Sequence, residues 1–153
     1  MCSKDLCKIN RAKEYLQQAY TAQERIIQCN YMLEQLKGDY GKLTASYGEN
    51  TGHSNVKHDI SDYIAGILEK KQQIISQIIK FKEKQYEISE FIFNLQMKPK
   101  DEILRRLLIL KYVQLKPFKE IYQILHYSYN YVVKILHEKA LAIVEKNLEL
   151  KEV

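Results

Sequence analysis

PFKEIYQILHYSYNYVVKILH, residues 117–137, is the stretch on which the fold turns. Pro117 suits the first turn of a helix, where its missing N–H would have found no partner anyway. Phe118, Ile121 and Leu125 then fall on one inner face. The helical pattern breaks at His126 and Tyr127. Ser128 is an N-cap for the next helix, since its hydroxyl can accept from a backbone N–H that lacks an intrahelical acceptor. That helix turns Val132, Ile135, Leu136, Ile143 and Val144 inward. Two short helices joined by a short turn, the second capped by Ser, describe a helix-turn-helix.

Upstream, PKDEILRRLLILKYV (residues 99–113) begins with Pro99 and two acids, which complement a helix N-terminus. Ile103, Leu107 and Leu110 share a face with Leu104, Leu108 and Tyr112 beside it. A helix apolar around so much of its circumference belongs at the centre of a small bundle. Gln114, Leu115 and Lys116 connect it to Pro117. Residues 98–153 are therefore expected to be a three-helix module.

Residues 1–97 carry a different period. Ile60, Ile67, Ile74, Phe81, Ile88 and Leu95 recur every seven residues, accompanied by Ile64, Ile78 and Ile92, although Lys71 and Gln85 interrupt that second row. Tyr63 and Phe91 lie alongside. Before them, Ala12, Ala19, Ile26, Leu33 and Tyr40 repeat at the same interval, with Tyr15, Ala22, Cys29 and Leu36 completing a seam. Gly38, Gly41, Gly48 and Gly52, amid Ser, Thr and Asn, predict a polar loop over 38–58. Ser61 and Asp62, beside Asp59, are placed to cap the second helix. Gly66, alone inside that helix, suggests a close helix approach. The expected fold is all-α: an N-terminal, coiled-coil-like long helical hairpin, then a compact helix-turn-helix module. The same seam can close within one chain or between two.

The net charge is +5, distributed as +2 over residues 1–58, −1 over 59–97 and +4 over 98–153. A polyanion-binding surface is thus sought in the last third. No apolar run reaches the roughly 20 residues that cross a bilayer, and no export signal stands at the start, so a cytoplasmic protein is expected. Cys2, Cys7 and Cys29 read as free thiols. His53, His58, His126 and His137 lack zinc-site spacing. Neither a phosphate loop nor a nucleophile elbow occurs. No enzymatic activity, metal or cofactor is expected.

The helix over 128–147 would enter the major groove. Its Ser128-capped N-terminus faces a phosphate, and Tyr129, Asn130 and Tyr131 lie at the base edges. Val133, Lys134 and His137 continue the face. Asn130 can pair with adenine, Val133 can touch a thymine methyl, and Lys134 can reach guanine or phosphate. Lys116, Lys119 and Lys139 would add positioning contacts. Arg105 and Arg106 are basic as well, though they can face the long helices instead. Tyr112, Tyr122 and Tyr127 are assigned to packing within the bundle.

The span LRRLLILKYVQLKPFKEIYQILHYSYNYVVKILHEKAL (residues 104–141) resembles region 4 of sigma-70-type factors. The matching positions are Tyr112, Phe118, Glu120 with Ile121, Leu125 to Ser128, Val132, and Ala140 with Leu141. Preceded by a helical hairpin, it is similar to the phage late-gene activators related to RinA and ArpU. Three positions depart from the pattern: Tyr122 replaces a small Ala, His126 replaces the turn Gly, and Tyr129 with Asn130 replaces a basic pair. The resemblance implies a phage- or prophage-encoded regulator of transcription that binds double-stranded DNA. It would dimerise through the hairpin, which could also contact RNA polymerase. The alternative is a protein–protein adaptor that binds polymerase or another regulator without touching DNA.

Overall fold

A computed structural model describes the backbone of residues 3–47 and 54–152, and the side chains of 10–46 and 60–152. Among the described residues every regular element is helical and no strand occurs. Helix α1 covers Ser3–Tyr47 and α2 covers Ser54–Phe93. Helix α3 opens as one 3-10 turn, Pro99–Asp101, continues as α-helix over Glu102–Leu108 and ends as a π-helical stretch, Ile109–Val113. Helix α4 is Phe118–Leu125. Helix α5 starts at Tyr129–Tyr131, passes through a π-helical stretch, Val132–Leu136, and runs as α-helix over His137–Lys151. No helix among the described residues is long and apolar enough to cross a membrane.

The chain falls into two compact units, residues 23–82 and residues 1–22 with 83–153. In the second of these, Ala12, Leu16 and Ala19 of α1 and Ile88 and Ile92 of α2 share one core with α3, α4 and α5. Helix α3 buries Leu104, Leu107, Leu108, Leu110 and Tyr112, as its apolar circumference predicts. Ile121, Val132 and Val144 close the core from α4 and α5. Polar groups pin the connection from α2 to α3. Asn147 on α5 donates to Gln96 O (3.2 Å) and accepts from Gln96 N (2.9 Å), while Arg105 Nη2 donates to Leu95 O at 2.7 Å. The Tyr20 hydroxyl donates to Lys111 O at 2.6 Å, near the end of α3, where carbonyls run out of intrahelical donors.

In the unit of residues 23–82, Ile26 and Cys29 of α1 and Ile67 and Ile74 of α2 are buried, as the seven-residue stripes require. The Cys29 thiol lies 3.8 Å from Gln77 Oε1. Farther along, Leu33, Leu36 and Tyr40 face Ile67, Leu68 and Lys71 across a groove of about 350 Å³.

Three expectations need correction here. Gly38 and Gly41 are helical, and so is the backbone of residues 54–58; of the expected loop, only 48–53 lie outside the described residues. A glycine costs a helix about 1 kcal/mol relative to Ala, and the half-buried Leu33 and Leu36 help carry α1 onward. Because α2 begins at Ser54, Ser61 and Asp62 lie inside it and do not cap it. Gly66 marks no close approach, since a Cβ built there would meet nothing within 4 Å.

Candidate nucleic-acid interface

The connection from α4 to α5 closes by local chemistry. His126 takes the left-handed conformation (φ 59°, ψ 37°) at the end of α4. Its N–H donates to Gln123 O (3.3 Å) and the next N–H, of Tyr127, donates to Tyr122 O (3.2 Å). These two bonds are a Schellman closure, which satisfies the last carbonyls of α4. Ser128 is extended (φ −70°, ψ 149°), and its Oγ accepts from Tyr131 N at 3.3 Å. The expected N-cap is therefore present. Leu115 is also left-handed (φ 55°), between α3 and α4, a feature that no turn residue announced.

Ser128, Tyr129, Asn130, Tyr131 and Lys134 are exposed. Val133 is half-buried. Lys119 and Lys139 are exposed, whereas Lys116 is half-buried and its Nζ lies 3.3 Å from Glu120 Oε2. Arg106 is exposed, but Arg105 is engaged with Leu95 O and with Glu102.

His137 does not continue the outward face: it is 9% exposed and sits in the core. Ile135, assigned to the core, is 42% exposed. Both exchanges follow from the π-helical stretch, whose His137 N–H bonds to Val132 O, five residues back. The wider turn advances each residue by roughly 18° less than an α-helix does, so over five residues the helix lags by about a quarter-turn. His137, seven positions after Asn130, is thereby swung off the Asn130 face.

The exposed surface that results has two columns. Tyr127, Tyr131 and Ile135, spaced by four, form one; Asn130 and Lys134 form the other. The Tyr127 and Tyr131 rings lie 5.3 Å apart, and Tyr129 meets Tyr122 edge-on at 5.8 Å. Tyr127 is 45% exposed and belongs to this surface while its ring packs on Tyr131. The recurrence of large side chains at 127, 131 and 135 was the available signal.

Behind that surface, His137 Nε2 lies 2.9 Å from the Tyr112 hydroxyl, which donates to it in the neutral tautomer that carries its proton on Nδ1. Phe118 stands edge-on to the imidazole at 5.1 Å, and the Lys111 ammonium lies over the Phe118 ring at 4.4 Å. Burial, assisted by the charges of Lys111 and Lys13, pushes the His137 imidazole down to about 4. Burial also pushes the Tyr112 hydroxyl up and the Lys111 ammonium down. No group of three His, Cys, Asp or Glu side chains among the described residues is placed to hold a metal ion. Comparison with protein families, curated proteins and solved structures finds no match for this chain.

Proposed function

We propose that this protein is a sequence-specific, DNA-binding regulator of transcription whose α4–turn–α5 segment acts as a helix-turn-helix, with α5 in the major groove. The observation that carries the reading is the Schellman closure at His126 followed by the Ser128 cap, with Asn130 and Lys134 exposed just beyond. Asn130 supplies the donor–acceptor pair that adenine offers, and Lys134 supplies a cation for guanine or phosphate. Lys119 and Lys139 add phosphate contacts. The role as a phage- or prophage-encoded late-gene activator rests on the resemblance to the activators related to RinA and ArpU.

One module of this size buries little DNA surface, so specificity calls for two half-sites or a polymerase contact. Homodimerisation through the helical hairpin would supply the first. Ile27, Tyr31 and Met32 of α1 and Leu68 and Ile79 of α2, each at least half-exposed, favour a protein contact there. The same observation supports the adaptor reading, in which RNA polymerase or another regulator is bound in place of DNA.

The test is retention of sheared DNA from the source genome by the purified full chain at two salt concentrations, followed by sequencing. Enrichment of a discrete site that is lost at high salt is expected. On that site, Asn130→Ala should weaken binding by about tenfold or more, and Lys134→Ala should lower the salt slope by about one. Unchanged affinity in both variants, with melting temperatures preserved, would refute the assignment.

A further inference from the structure

We infer that Tyr127, Tyr131 and Ile135 form an apolar ridge that reads thymine methyl groups, so the duplex preferred by this protein is rich in A·T pairs. The inference rests on the DNA-binding reading above and specifies the chemistry of its ligand. The three side chains are 45%, 39% and 42% exposed, succeed one another every fourth residue, and begin at the turn itself. The C5-methyl of thymine is the apolar group that the natural bases offer in the major groove. The column alongside the ridge is complementary in the same sense, since Asn130 fits adenine, thymine's partner.

Guanine reading has little support on this face. Its usual reader is arginine, and the last third holds only Arg105 and Arg106, both on α3 and the former engaged with Leu95 O. Lys134 is the cation nearest Asn130 along α5 and is exposed, as are Lys119 on α4 and Lys139 on α5. These charges favour a polyanion as the occupant of an otherwise apolar ridge.

The probes are a short A·T-rich duplex, the same duplex with deoxyuridine replacing every thymidine, a G·C-rich duplex, and that duplex with 5-methylcytosine. Deoxyuridine removes the methyl and leaves base pairing intact, while 5-methylcytosine places a methyl at the equivalent groove position. Affinities of the full chain are read by fluorescence anisotropy at one fixed salt concentration. The A·T-rich duplex should bind tightest. Deoxyuridine should weaken it about fourfold for each contacted methyl, hence about fifteenfold for two. Methylation should strengthen the G·C-rich duplex. Ile135→Ser, an exposed substitution, should shrink the thymidine–deoxyuridine difference.

Equal affinity for the thymidine and deoxyuridine duplexes would overturn the inference while leaving DNA binding intact. Failure to bind any duplex would overturn the DNA-binding reading and the inference together. Should Ile135→Ser leave every duplex affinity unchanged and instead abolish self-association in sedimentation, the ridge is a protein contact and the inference falls.

Discussion

His137 gives the fold a pH dependence that can be worked through from its surroundings. The imidazole is enclosed by Tyr112, Phe118 and the nearby Lys111 charge, and its pKa falls from 6.5 to about 4 on folding. Between those values the unfolded chain takes up a proton that the folded chain refuses. Stability is therefore complete above pH ~6.5 and declines as the pH falls, by up to about 1.4 kcal/mol per pH unit. From pH ~7 to pH ~5 the loss is about 2 kcal/mol, which lowers Tm by about 6 °C for a chain of this length. Carboxylates titrate mainly below that window, and they are common to the wild type and any His137 variant. The assay is thermal or urea unfolding of the wild type, His137→Phe and His137→Gln across the window. Both variants will start from a different baseline, because each alters the partner of the Tyr112 hydroxyl. The informative quantity is the slope: the wild type should lose about 2 kcal/mol more than either variant. Parallel curves for all three would refute the burial-driven shift.

The left-handed turn offers a second perturbation: His126→Gly should stabilise the protein by about 1 kcal/mol, because glycine bears no Cβ penalty at φ 59°. His126→Val should destabilise it; both are read from urea midpoints. Gly38→Ala, Gly41→Ala and Gly66→Ala should each raise stability by up to about 1 kcal/mol, since the added methyl meets nothing within 4 Å at a helical position. Their urea midpoints should move upward.

Much of the fold was legible because its determinants are periodic or punctual. The seven-residue rows of Ile67, Ile74 and Ile88 are buried, and Pro99, Pro117 and Ser128 stand at or beside the starts of their elements. What failed was the weighing of competing terms. Gly38 and Gly41 suggest a break, yet helix propensity is a weak prior, and the half-buried Leu33, Leu36 and Leu43 lie around them in α1. Leu16, fully buried, went unnoticed because the seam was traced through Ala12, Tyr15 and Ala19. Its companion row is visible only once α1 is known to share a core with the C-terminal helices as well as with α2.

The face of α5 departs from regular α-helical spacing for a different physical reason, and that reason bears on the proposed function. Extrapolating 3.6 residues per turn from Asn130 placed His137 outward and Ile135 inward, and nothing in the composition of VVKIL signals a π-helical stretch. The stretch turns an imidazole into the core and an isoleucine out. Histidine at the surface could have contributed hydrogen bonds to bases of either pair, whereas isoleucine can contribute only apolar contact. On the proposed DNA-binding reading, one wider turn shifts the face from polar readout toward methyl readout, while the buried imidazole couples stability to pH. If Val132–Leu136 were an ordinary α-helical turn, Ile135 would swing back toward the core. The deoxyuridine sensitivity should vanish together with the pH slope that His137 imposes. Both effects share one backbone origin, so a protein that shows one without the other would count against this geometry of α5.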